Sequence, residues 1–191
     1  MGNPFGFETS RLHLLTRSTV SLKHMKVLLL PFAILSFFPG CQESVFRSLQ
    51  KTDQLFVYEG LPHPIRENPS FEKEKHRKDV TQIDGHWFYQ PKVEASGEIH
   101  DDLMKLLLDE NCFHILNSNL PAKDCGPFHP DYAIMWESDG VKNYLLICYT
   151  CDEGKLIKEG KVVIYDLESS KKNYLKDILD NFQFNRPKKN I

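Results

Sequence analysis

The chain has 191 residues, 24 Lys and Arg against 26 Asp and Glu, a formal net charge of -2 and 41% hydrophobic residues. That length supports one sizeable core rather than two. The even charge excludes a strongly basic nucleic-acid binder and an acidic disordered chain, and 13 Phe with 7 Tyr argue against wholesale disorder.

Val27 to Phe38 (VLLLPFAILSFF) is apolar and uncharged. It is shorter than the roughly 20 residues a membrane-spanning helix needs, and Pro31 makes it a poor core helix. Behind Lys26 it fits the apolar segment of a secretory signal over residues 1–40, with Met25 as an alternative start. The run ends on Phe38-Pro39-Gly40-Cys41. This resembles the lipobox of bacterial lipoproteins, in which the Cys is acylated and becomes the mature N-terminus. Gly40 and Cys41 match that pattern, while Phe38 and Pro39 depart from its usual Leu and small residue. The resemblance implies lipidation at Cys41 and export. The protein would then be a lipoprotein of the cell membrane or outer membrane, facing the periplasm, its membrane contact made through lipid and not a crossing helix. Plain secretion, with Cys41 an ordinary residue, is the alternative. Removing residues 1–40 leaves 20 basic and 25 acidic residues, a net of -5, which disfavours a nucleic-acid partner further.

Residues 41–54 read as a polar tether and 55–187 as a single domain. Leu55 to Tyr58 is a β-favouring run stopped by Glu59-Gly60-Leu61-Pro62. Phe71 to Lys78 (FEKEKHRK) alternates in charge and reads as a solvated helix or loop. Gly85 to Gln90 is a short aromatic strand bounded by Pro91. Ser96 to Asn111 is a helix: Ser96 or Gly97 can cap it, Glu98, Asp101 and Asp102 suit the first turn, and Ile99, Leu103, Leu106 and Leu107 form an apolar face. Phe113 to Leu116 reads as a strand or a buried connection. From Pro130 the chain reads as a β-meander. Its strands are Tyr132–Trp136, Tyr144–Tyr149, Lys155–Ile157 and Lys161–Tyr165, with turns at Ser138-Asp139-Gly140 and Glu159-Gly160. Tyr144 to Tyr149 (YLLICY) scarcely alternates, as a central strand buried on both faces would not. A last helix spans about Ser169 to Phe182, with Tyr174, Leu175, Ile178, Leu179 and Phe182 as its stripe. The expected class is α+β: an antiparallel β-meander sheet with two main helices packed on one face.

Beyond Cys41 there are four cysteines, Cys112, Cys125, Cys148 and Cys151, the last two forming a C-x-x-C. A thiol oxidoreductase needs a helix to begin at such a motif, because the helix N-terminus stabilises the thiolate. Here Asp152-Glu153-Gly154 leads into β-type sequence instead. A structural zinc site needs a second ligand pair. Cys125 and His129 can supply it beside Cys148 and Cys151, with Cys112 or Asp131 as substitutes. An exported protein with an even cysteine count can equally pair them as disulfides. His129 and Asp131, two apart on an extended segment, point to one face and can form a histidine–carboxylate pair. Asp131 can instead cap the structure after it. His63, in Leu61-Pro62-His63-Pro64, can approach the same site, and Asp131 and His63 are the candidate second-layer residues behind a metal. No phosphate loop, G-x-S-x-G or H-E-x-x-H occurs, so no standard hydrolase motif is present.

Val57-Tyr58-Glu59-Gly60-Leu61-Pro62-His63, then Phe88-Tyr89, then Cys125 to Ala133, then Ile147-Cys148-Tyr149-Thr150-Cys151 form an ordered set. The set resembles an uncharacterised family of small predicted bacterial lipoproteins or secreted proteins of planctomycete type, over most of residues 55–187. The resemblance carries no reaction. It implies that the Cys125/His129 segment and the C-x-x-C belong to one site. The expected function is therefore an extracytoplasmic, lipid-anchored binding or structural module for a protein or small-molecule ligand. Its Cys/His cluster would be closed by disulfides or by zinc. The alternative is a metal-dependent hydrolase or thiol oxidoreductase using that cluster.

Overall fold

The computed structural model describes residues 46–63, 70–116 and 127–186. In chain order these form a 3-10 turn at Arg47–Lys51, then β1 (Leu55–Glu59), a one-turn α1 (Ser70–Glu74), β2 (Val80–Ile83), β3 (His86–Tyr89), β4 (Val93–Ala95) and α2 (Gly97–Leu107). Next come β5 (Phe113–Ile115), β6 (Tyr132–Ser138), β7 (Val141–Cys148), β8 (Glu153–Lys158), β9 (Lys161–Leu167), α3 (Ser169–Leu179) and a closing 3-10 turn at Asp180–Phe182. All of them belong to one unit of the chain, Gly40–Ile191.

Seven strands make an antiparallel sheet in the order β4-β1-β6-β7-β8-β9-β5, and β2 with β3 forms a separate hairpin. The fold is α+β, and β6 to β9 are the expected meander. Two of its turns use left-handed pairs, Asp139-Gly140 at φ 53 and 75 and Glu159-Gly160 at φ 50 and 74. That backbone twist matches the strands it joins, which is why acid-Gly pairs sit there.

The sheet is covered on both faces, and this explains the YLLICY run. Leu145 and Ile147 point into the larger core, with Leu103, Leu106 and Leu107 of α2 and Leu175, Ile178 and Leu179 of α3. Leu146 points the other way, into a smaller cluster with Ala133 and with Ile83 and Phe88 of the hairpin. All three β7 residues are 0% exposed. Each such buried aliphatic side chain is worth about 2 kcal/mol of hydrophobic stabilisation.

Several boundaries differ from the expectation. α2 stops at Leu107 and α3 at Leu179, each followed by a cap residue whose N–H still donates to the carbonyl four residues back, Leu108 to Met104 and Asp180 to Lys176. The charged stretch 71–78 is not wholly solvated: Glu74 is buried and accepts from Tyr89 Oη at 2.9 Å and from Arg77 Nη1 at 2.9 Å. β2 and β4 have no strong apolar alternation and are defined by their partners β3 and β1. Phe46 and Leu49, in the stretch expected as tether, lie in the core, and Ser48 accepts a hydrogen bond from buried Trp136. The signal segment, Cys41, Cys125 and Pro187 lie outside the described residues.

Candidate functional site

At one end of the sheet the loop after β1 is tied to two neighbours. Gly60 N donates to Asp131 O at 2.7 Å, and Leu61 N donates to Trp87 O at 3.2 Å. A Cβ on residue 60 would stand 2.8 Å from the Asp131 carbonyl oxygen and closer still to that of Pro130. Glycine therefore allows the close approach that brings His63 to Asp131, where Nε2 and Oδ1 are 3.1 Å apart. Asp131 itself is held one residue before β6 by its own N–H, which donates to Ile147 O at 2.7 Å. The His129 ring lies against His63, with centroids 4.4 Å apart and planes tilted by 40°. The Phe71 ring meets His129 edge-on at 5.9 Å.

The expected hydrogen bond between His129 and Asp131 does not form, and His63 takes that place. Residues two apart on a strand share a face but stand roughly 6.6 Å apart along it, whereas a residue from a facing loop can reach hydrogen-bond distance. Asp131 also acts as a cap, though on a distant segment and not on its own strand: its Oδ2 accepts from Tyr149 N at 2.8 Å. Burial alone would raise the Asp131 carboxyl. The hydrogen bonds from His63 and the Tyr149 amide, with the Arg186 charge, outweigh it and hold the group below the usual carboxylate range. An ionised carboxylate only accepts, so His63 Nε2 carries the proton. In the neutral ring the lone pair then sits on Nδ1. His129 is pushed down to about 4, first by burial and then by its neighbour His63. It is a neutral imidazole near pH 7, and its Nδ1 is buried with no hydrogen-bond partner.

Behind the imidazoles lies a second carboxylate that local sequence does not single out. Glu59 is 4% exposed. Its Oε2 accepts from Phe184 N at 3.0 Å and Asn185 N at 2.7 Å, and its Oε1 from Arg186 N at 2.7 Å. Arg186 then reaches Asp131, with Nη1 to Oδ1 at 3.1 Å and Nη2 to the backbone oxygen at 3.1 Å. Its guanidinium lies 4.8 Å from the centre of the Tyr132 ring. The segment after α3 is thereby strapped across the ends of β1 and β6. The only sequence sign of Glu59 is its place in a strand-ending Glu-Gly, and no motif or spacing singles out Arg186.

Cys112, Cys148 and Cys151 are buried thiols and not half-cystines in this structure. Burial, reinforced by Asp109, pushes Cys112 up to about 12, so it is an inert core residue. Cys148 ends β7 and Cys151 sits in the tight turn to β8. No helix begins at the motif. Ala133 and Leu146 share the hairpin face, and alternation puts Asp131 and Cys148, two residues away on neighbouring strands, on that face too. Among the described residues no three His, Cys, Asp or Glu side chains are grouped as a metal site, and Cys125 lies outside them. Of the proposed ligands and their supports, the structure thus joins His63, His129 and Asp131. It places Cys148 on the adjoining strand.

The fold and site together define an antiparallel α+β module with a paired-imidazole edge braced by a buried carboxylate and arginine. The chain matches no protein-family model, no curated protein and no solved structure.

Proposed function

We propose that this chain is an extracytoplasmic binding or structural module, held at a membrane surface by lipid on Cys41, whose ligand contact is the His63–His129 edge. One observation carries the reading: the carboxylates next to the imidazoles are already used by the fold. Asp131 accepts from His63, Arg186 and Tyr149, and Glu59 accepts from three backbone amides. A general base or a metal-bridging acid must have a lone pair to offer the reacting group, and these acids spend theirs on holding the site's shape. The imidazoles differ, since their second ring nitrogens, His63 Nδ1 and the unpartnered His129 Nδ1, are not used by the fold among the described residues and remain for a ligand. Cys125, Cys148 and Cys151 with His129 remain the proposed zinc or disulfide set.

The anchor is tested by mass spectrometry of the membrane fraction. The expected N-terminal peptide begins at an acylated Cys41, and a soluble protein starting at unmodified Met1 or Met25 would sink the anchor. The site is tested by metal analysis and thiol counting on the full-length protein. The rival reading, a metal-dependent hydrolase, draws on the unpartnered His129 Nδ1. Stoichiometric metal together with ester or phosphoester turnover that disappears in His129→Ala would establish that rival. Binding without turnover supports the module.

A further inference from the structure

The end of the sheet opposite the imidazoles carries the β6–β7 and β8–β9 turns, and the 3-10 turn Arg47–Lys51 lies against β6 there. Together they line a cleft of about 440 Å³, within the range of small-molecule sites. Arg47, Lys51, Lys158 and Lys161 line it against Asp139 and Glu159. Lys51 and Asp139 neutralise each other in a 2.7 Å ion pair, and Lys158 acts on Asp139 from farther off. Arg47, Lys158 and Lys161 have no ion-pair partner among the described residues. A cationic concavity on a net acidic chain serves no purpose in the packing of the sheet.

Two buried hydroxyls line the same cleft. Tyr165 is 1% exposed, and its Oη is buried without a hydrogen-bond partner. A buried hydroxyl left alone is destabilising. Ser48 is 8% exposed and spends a lone pair on Trp136 Nε1 at 3.0 Å, which leaves its proton to donate. We propose that this cleft binds a phosphate-bearing anion, with Arg47, Lys158 and Lys161 supplying charge and Tyr165 and Ser48 supplying hydroxyl donors. With Lys51 and Asp139 paired, Arg47, Lys158 and Lys161 against Glu159 leave two positive charges, which suit a group with close to two negative charges and acceptor-only oxygens better than a singly charged carboxylate. The phosphate can belong to a soluble metabolite or a lipid headgroup. Arg47 follows Cys41 by six residues, a span of at most about 20 Å, so a lipid there would hold the cleft near headgroups. The proposal is independent of the imidazole site.

The full-length protein is titrated calorimetrically with inorganic phosphate and with glycerol 3-phosphate, and sedimented with phosphatidylglycerol or phosphatidylcholine vesicles. Saturable binding to a soluble probe assigns the cleft to small phosphates. Binding confined to phosphatidylglycerol vesicles assigns it to headgroups. In either case the double variant Arg47→Gln with Lys158→Gln, both exposed positions, weakens binding at least about tenfold, while Lys73→Gln on α1 leaves it unchanged. Tyr165→Phe weakens binding severalfold without lowering Tm, because the hydroxyl it removes bonds nothing in the fold. Failure of every probe to bind, or undiminished binding in the double variant, overturns the proposal.

Discussion

Gly60 is the residue whose side chain the fold cannot accept. The Cβ of Gly60→Ala would press on backbone oxygens, not on a side chain that can swing aside. The variant should lose about 2–3 kcal/mol and show a weakened His63–Asp131 contact, read by chemical denaturation and by histidine NMR shifts. His129 sets a pH signature. Its folded value is about 4 against an ordinary 6.5, so the unfolded chain takes up the proton first. Stability from this residue is complete above pH 6.5, falls as pH drops through that window and is fully lost once pH passes about 4. Thermal melts should show Tm declining over that window, and His129→Asn should flatten the decline. Asp131, whose value is lowered, adds a separate loss at more acid pH than an ordinary carboxylate.

At the scale of elements, the strap after α3 depends on one carboxylate. Glu59→Gln replaces an anion that three backbone N–H groups and Arg186 share, and leaves the buried guanidinium with Asp131 in place of two carboxylates. Removing one member of such a buried set costs about 3 kcal/mol. The amides of Phe184, Asn185 and Arg186 should exchange hydrogen far faster than in the parent. Unchanged exchange would mean that other contacts hold the strap. The C-x-x-C belongs to this scale too. The motif sits on a strand end and a hairpin turn, so it lacks the helix dipole that would activate a thiolate.

For the whole molecule the question is where the folded part begins. Phe46 and Leu49 pack into the larger core and Ser48 bonds Trp136, although the first strand starts only at Leu55. A chain beginning at Phe46 keeps both of these apolar side chains and the Ser48–Trp136 bond. One beginning at Leu55 gives up two buried apolar side chains and should lose at least about 4 kcal/mol. Equal melting temperatures for the chains beginning at Phe46 and at Leu55 would return the segment to the tether.

The meander, the two long helices and the doubly buried β7 were legible because each is written in local terms: apolar spacing of two or of three to four, an acid-Gly pair at a turn, a run without alternation. Those patterns say which side of an element is buried, not what it is buried against. The order that inserts β1 between β4 and β6, the hairpin laid on the second face, and the inward turn at Arg47–Lys51 were decided only by tertiary packing. The site divides in the same way. His63, His129 and Asp131 were visible as residues, but the pairing was not. His63 and Asp131 are 68 positions apart, and Glu59 and Arg186 are 127 apart. No spacing rule spans such distances, because contacts of that separation are made when strands choose neighbours, and that choice belongs to the energy of the whole core.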